Sequence, residues 1–292
     1  MFTGLLFTFL TGCSWGLACI LCSKASHAKA HVPHFYIIGS LTSLVLLGLL
    51  NCIFGVTLFA GVPHWWTATV AVLAGSLGCV TNLLTMYILG FNGAAMYMAL
   101  AQLGFAFSFL FNVAFFGGKM SLVNAVGLIC LVAAIFLSQG AGSTAKKERN
   151  LRLLGVSLLA SLTSGCMQVF NIIPLKYPMP TLGRTTIVLF TYLTVWCIVL
   201  LAKRQFDWPR SPRLYGIIAG WGVIAVAAYF CLFSSVQALI PFSRAGIVCP
   251  TGMTLQILIF ILYTRIILKE KLTPAQMGAM AFIIVGMFAI CL

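Results

Sequence analysis

The stretch "ILYTRIILKEKLTPAQMGAMAFIIVGMFAI", residues 261 to 290, sets a short charged knot between two long apolar runs. Glu270 in that knot is one of only three acidic residues in 292. A related pattern stands earlier in the chain, "FLFNVAFFGGKMSLVNAVGLICLVAAIFL", residues 109 to 137. At an offset of 151 residues, Gly278 falls on Gly127 and Ala245 on Ala94 with no gap between them. The first helices correspond too: "TGC" at 11 to 13 matches "SGC" at 164 to 166, an offset of 153. The chain therefore reads as two copies of one unit, residues 1–140 and 141–292.

Composition says what kind of unit it is. Hydrophobic residues make up 62% of the chain and charged ones 7%, against roughly 45–50% and about 25% in a soluble domain. Hiding that much apolar surface from water would take a larger interior than a chain of this length encloses, since single cores stop growing near ~250–300 residues. Lipid is the expected solvent for most of it. The N-terminus, "MFTGLLFTFL", lacks the basic region of a secretory signal and runs on into a full apolar span, so it is expected to persist as the first helix.

A membrane-crossing helix needs about 20 mostly apolar residues. Ten such runs are present, at roughly 2–22, 35–59, 66–89, 93–116, 121–139, 152–174, 184–202, 213–238, 245–268 and 274–292. Pro33, Pro63, Gly117 with Gly118, Pro178, Pro180, Pro209, Pro212 and Pro241 fall between them as breakers. Thr273, Pro274 and Gln276 form a helix-start box for the last span, and Ser121 is the matching cap candidate in the first copy. Five spans per copy is an odd number, so the second copy enters the bilayer from the opposite face. The expected fold is thus an all-α integral membrane protein of ten transmembrane helices, arranged as two inverted five-helix repeats.

The net charge of +14 follows the same plan. Lys24, Lys29, Lys146, Lys147, Arg149, Arg152, Lys203, Arg204, Arg210, Arg213, Lys269 and Lys271 fall in one set of loops. Only Lys119, Lys176, Arg184 and Arg244 fall in the other. The positive-inside rule puts the first set in the cytoplasm and both termini outside. Short basic clusters between apolar runs do not make the continuous basic face that a nucleic acid needs.

Ten helices in two halves, each closed by a polar hinge and a glycine-bearing helix, resemble the drug/metabolite transporter superfamily. The two stretches quoted above look like the EamA-type signature that ends each repeat, with an acidic residue before the last turn. The second copy keeps it as Glu270, and the first has Lys119 instead. The basic first loop and outside termini look most like the bacterial rhamnose and glucose/ribose porter branches. EamA-type exporters would place the termini in the cytoplasm.

The resemblance implies a central cavity lined by helices one, three and four and by their mates six, eight and nine. Polar residues inside those spans are costly in lipid and should face the bundle interior. The candidates for substrate binding are Ser14, Trp15, Asn82, Tyr97, Gln102, Gln168, Asn171, Tyr229, Thr254 and Gln256. Gln168 falls opposite Trp15 at the offset of 153. For each, the competing reading is an interhelical hydrogen bond, worth about 0.6–2 kcal/mol. Gly12-x-x-x-Gly16 and Gly216-x-x-x-Gly220 read as close helix packing. Arg265 has two roles open to it: holding an anionic group at the inner gate, or reaching to the headgroups beside Lys269. Arg184 and Arg244 have the same two at the outer mouth.

No Asp or Glu lies within a span, since Glu148, Asp207 and Glu270 all sit in loops or at helix ends. A carrier of hydrophobic cations, or one coupled to protons through a membrane carboxylate, needs such a group. An aromatic cage remains a route for a quaternary ammonium. His27, His31, His34 and His64 read as solvated loop histidines, because Pro33 interrupts a metal-binding helix face. Cys19 and Cys22 form a CxxC without a second pair or a histidine partner, so the eleven cysteines read as small apolar residues. No cofactor is called for.

The functional expectation is a secondary transporter in the cell (inner) membrane, moving a sugar or similar small polar solute by alternating access. The alternative is an exporter or exchanger of amino acids, nucleobases or other metabolites. An intramembrane enzyme would need a catalytic pair that no span offers. The partners expected are the small-molecule substrate and the lipid bilayer. Ten helices enclose a cavity without a second subunit, and a homodimer is equally compatible with the sequence. A cysteine added at the N-terminus is expected to react with an impermeant thiol reagent from outside the cell. Labelling only after permeabilisation would reverse the orientation.

Overall fold

In this computed structural model, residues 1–59, 61–91, 94–115, 120–138, 144–173, 179–204, 208, 211–242, 245–269 and 273–291 are described. Lys119, Lys176, Asp207, Arg244, Glu270 and Lys271 lie outside the described residues. The side chains of Glu148 and Gln276 do as well. The described residues form α1 (Phe2–His27), α2 (Val32–Phe54), α3 (Trp65–Leu89), α4 (Ala94–Ala101), α5 (Gly104–Phe115), α6 (Leu122–Ser138), α7 (Thr144–Ile172), α8 (Thr181–Lys203), α9 (Pro212–Leu239), α10 (Val248–Ile266) and α11 (Pro274–Cys291). No strand occurs among them.

Among the described residues, eight stretches are helical, long and apolar enough to cross a bilayer, one of them running from Met96 through the α4–α5 junction to Phe115. Shorter apolar helices occupy Leu122–Ala134 and Met277–Ala289. An all-helical chain is what lipid demands, because a helix satisfies its own backbone groups where no water can. The chain is a multi-pass α-helical membrane protein.

The helix ends show how the sequence sets the boundaries. Ser121 caps α6: its Oγ accepts from the Asn124 backbone N–H at 3.2 Å, while Asn124 Oδ1 accepts from the Ser121 N–H at 2.8 Å. That is a reciprocal capping box closed by Asn in place of Glu or Gln. Pro33 and Pro212 stand in the first turns of α2 and α9, where a missing N–H is harmless. Lys29, Arg204 and Lys269 adopt positive φ just past α1, α8 and α10. Basic side chains there complement the negative end of each helix dipole.

Three expectations are corrected. The span expected at 93–116 is broken between Ala101 and Gly104, where Gln102, Leu103, Phe105 and Ala106 all donate to carbonyls three residues back. The helix tightens there into 3-10 geometry. α7 begins at Thr144, ahead of the apolar run, because "AKKERN" consists largely of good helix formers. His34 is not solvated: it is buried in α2 with its ring 4.5 Å from that of Trp208.

α1 packs on α9 and α10, while α7 packs on α3 and on α4 and α5. α2 lies between α8 and α9, α3 also meets α8, and α6 pairs with α11. Small residues allow these approaches. A Cβ on Gly12 would fall 2.7 Å from the Gly252 carbonyl oxygen. Gly216, in contrast, has nothing within 4 Å, so the expected close packing does not hold at that residue. Gly104 and Gly165 bring α5 against α7, with a Cβ on Gly104 placed 2.6 Å from the Gly165 nitrogen. Gly104→Val is expected to destabilise the fold by about 1–3 kcal/mol through overpacking. An unchanged melting temperature in detergent would mean that these helices do not meet so closely.

Candidate functional site

A cavity of about 530 Å3, its opening included, lies among α1, α3, the α4–α5 junction, α7, α8, α9 and α10. On α1, Trp15, Ala18, Cys19 and Cys22 share one face at helical spacing and all line it. Thr81, Asn82 and Thr85 face them from α3, and Ser164 and Met167 from α7. Tyr192 projects from α8, Trp221 and Tyr229 from α9, and Met253 and Gln256 from α10. Gln102 enters at the break between α4 and α5.

Aromatic rings build one wall. Trp15 meets Tyr229 edge to face with centroids 5.1 Å apart. The Tyr229 and Tyr192 hydroxyls are 2.7 Å apart and hydrogen-bonded. Behind them Tyr36 stacks on Trp196 at 5.3 Å and meets Trp221 edge-on at 5.1 Å. Gly78 makes room for this wall, since a Cβ there would collide with the Tyr192 hydroxyl. Such contacts fix the rings and give the cavity a defined shape.

The polar atoms divide by whether they have partners. Gln256 Nε2 donates to Cys19 Sγ at 3.0 Å. Thr81 Oγ1 donates to its own α3 backbone at Leu77 and also to Thr163 Oγ1 at 3.0 Å. Asn82 Nδ2 and Gln102 Oε1 are buried with no hydrogen-bond partner. One is a donor and the other an acceptor. Among the described residues, no lining side chain is charged.

Of the sequence candidates, Trp15, Asn82, Gln102, Tyr229 and Gln256 are brought together at this cavity. The others are not among its lining. Thr254 is buried and turns its hydroxyl back to the Pro250 carbonyl at 2.9 Å. Gln168 stands behind Ser164, donating to its Oγ at 3.1 Å and facing the Ser108 hydroxyl at 3.4 Å. Asn171 is buried one turn beyond Met167 on α7. Tyr97 is buried in α4, and Ser14 lies half-buried beside Trp15 but rotated off the cavity face of α1. Arg265 is exposed in the last turn of α10, a placement that suits its headgroup role.

Sequence reasoning passed over Tyr192, Trp221, Ser164 and the two cysteines of the CxxC. Projecting Trp15 along α1 at steps of four and then three residues would have reached Cys19 and Cys22. Tyr192 carried no such signal, because α8 corresponds to a helix that the implied cavity leaves out.

No family model matches the chain, and no curated protein does. A crystal structure described only as that of a protein is similar to it, with a TM-score of 0.64. The likeness covers 98% of this chain and 95% of the other at 16% identity. At that identity it speaks to the fold alone: the helical arrangement is one that proteins adopt.

Burying the unpartnered Gln102 oxygen has a stability cost, while an apolar side chain of similar volume has none. Gln102→Leu is therefore expected to raise the stability of the empty protein by about 1 kcal/mol. Thermal unfolding in detergent measures this, and a lowered midpoint would show that the amide is satisfied without ligand.

Proposed function

We propose that this chain is a secondary transporter that carries a small polar metabolite, a sugar or similar polyol, across the membrane by alternating access. The observation that carries the reading is the unpartnered pair in an uncharged, aromatic-walled cavity: the Asn82 donor and the Gln102 acceptor. A hydroxyl group both donates and accepts, so a polyol satisfies each. Flat sugar faces suit rings such as Trp15 and Tyr229, whose π surfaces present apolar area beside polar edges. A break in a helix at the cavity, as at Gln102, is a recurring feature of transporter binding sites.

The inverted-repeat plan is part of this proposal. Taking α1 with α7, α2 with α8, α3 with α9, α4 and α5 with α10, and α6 with α11 as mates, the main packing pairs exchange among themselves. α1 on α9 becomes α7 on α3, α1 on α10 becomes α7 on α4 and α5, and α2 on α9 becomes α8 on α3. The α6–α11 and α2–α8 pairs map onto themselves. That exchange supports two halves of ten spans in all, with α6 and α11 as the two short ones. The porter-like orientation, with both termini outside, belongs to the same reading.

Uptake of radiolabelled sugars, amino acids and nucleobases into proteoliposomes tests it, with and without imposed proton or sodium gradients. Saturable sugar uptake indifferent to the proton gradient is expected, since no carboxylate lines the cavity. Amino-acid or nucleobase flux instead would favour a metabolite exporter. Trp15→Ala and Gln102→Ala are each expected to lower kcat/KM by roughly tenfold or more while leaving a folded protein. Unchanged transport by both would remove them from the site.

A further inference from the structure

Beyond the cavity lining, the buried cation among the described residues is Arg184. It sits one residue past the first three of α8 and is only 6% exposed. Its Nη2 donates to the Phe170 carbonyl near the end of α7 at 2.7 Å. Its guanidinium lies over the Phe233 ring at 4.4 Å. Nε has no partner. Beside the Phe170 carbonyl, Asn171 keeps its buried Oδ1 unpartnered too.

Among the described residues no carboxylate pairs with this guanidinium, and chain reach keeps the three acidic side chains away from it. Arg184 lies at the end of the bundle where α8 starts and α9 finishes, because Thr181 donates to Gln237 Oε1 at 3.1 Å. Glu148 lies near the start of α7, and the backbone between it and Phe170 spans ~33 Å of helix. Asp207 follows the far end of α8 in the chain, and Glu270 the far end of α10. The four residues that separate each from its helix extend at most ~14 Å, against ~29 Å along α8 from Arg184 to Lys203 and ~27 Å along α10. A buried cation with a carbonyl, a ring and an idle N–H as its company is under-compensated.

Its place is next to the cavity. Phe233 stacks on the cavity residue Tyr229 at 5.9 Å, one turn along α9. Asn171 is one turn beyond the cavity residue Met167 on α7. Arg184 is two turns from Tyr192 on the same face of α8, ~12 Å along its axis.

We propose that Arg184 is the counter-ion for an oxyanion on the transported solute, so that the substrate is a polyol bearing a carboxylate or phosphate. This rests on the transport reading and narrows it. The hydroxylated part occupies the cavity between Asn82 and Gln102, and the oxyanion meets the Arg184 fork at the α8 end. The guanidinium then exchanges its carbonyl for a charged acceptor, a stronger and bidentate partner.

The test uses the full-length protein in lipid nanodiscs. Its melting temperature is titrated with D-glucose, D-gluconate and inorganic phosphate at matched ionic strength, beside Arg184→Gln and Arg184→Lys. Saturable stabilisation by gluconate or phosphate is expected, and which of the two acts separates a sugar acid from a phosphorylated polyol. Arg184→Gln should weaken that oxyanion by roughly tenfold or more and leave any glucose response in place. Should Arg184→Gln fail to fold, Arg184→Lys decides: it keeps the charge and loses the fork, so weaker oxyanion binding supports the proposal and unchanged binding overturns it. No saturable response to either oxyanion in the folded wild type, or equal responses in wild type and Arg184→Gln, also overturns it. Saturable sugar uptake by wild-type proteoliposomes with no saturable response to either oxyanion would leave the transport reading standing while this inference fell. Absence of all flux in the wild type, with oxyanion binding that Arg184→Gln weakens, would do the reverse.

Discussion

Everything in this molecule follows from the absence of water around its helices. A hydroxyl in lipid must find its acceptor inside the protein, and the nearest is the carbonyl four residues back on its own helix. Thr8, Thr11, Thr42, Ser43, Ser157, Thr185, Thr191 and Thr254 all use it. Longer polar side chains have no such local outlet. The amides and the guanidinium are therefore where unmet hydrogen-bonding capacity gathers: Asn82 and Gln102 at the cavity, Asn171 one turn beyond its lining on α7 and Arg184 two turns from Tyr192 on α8. Ser23, Ser40 and Trp196 keep single unpartnered atoms elsewhere in the core.

The fold was legible because the physics of a bilayer writes itself into composition. Apolar run length, proline in first turns and the Ser121 cap all act locally, so one sequence suffices to read them. What escaped depends on contacts between distant segments. The break at Gln102 has no proline to announce it and coincides with the approach of Gly104 to Gly165, 61 residues further on. Gly216 fits the small-residue spacing as well as Gly12 does, yet only Gly12 meets a neighbouring helix. Of the candidate site, the residues found from sequence were polar groups in the middles of spans. Thr254 and Gln168 share that property, but which face of its helix a residue turns to the cavity depends on rotation about the helix axis, and these two are taken up by Pro250 and by Ser164 and Ser108 instead.

Charge is distributed by the same rule. The ends of α1, α8 and α10 carry Lys29, Arg204 and Lys269 in left-handed conformation, where glycine is the usual choice. A basic residue accepts modest backbone strain there and in return places its charge at the negative end of the helix dipole. These three ends are the ones that the positive-inside count assigns to the cytoplasm. Arg184 stands apart from that pattern, buried near the start of α8 with its guanidinium on the Phe170 carbonyl.

The helix interfaces also bear on how such a cavity would change its access. α1 packs against α9 and α10 along Gly4, Gly12 and Gly16, and its polar ties to α9 are one hydroxyl pair, Thr8 with Ser235, and the Ser235 bond to the Gly4 carbonyl. α2 holds α9 by the Ser43 hydroxyl on the Gly222 carbonyl. Such bonds between membrane helices contribute about 0.6–2 kcal/mol each, and Thr8 and Ser43 each keep an acceptor on their own helix when the partner moves off. An interface of small residues and two-way hydroxyls therefore loses little when it rearranges. The α6–α11 pair is tied by an amide instead, Asn124 Nδ2 donating to the Ala289 carbonyl at 3.1 Å. In the proposed rocking of two halves, α6 and α11 are the fixed seam, and the glycine-lined contacts of α1 are the sliding ones.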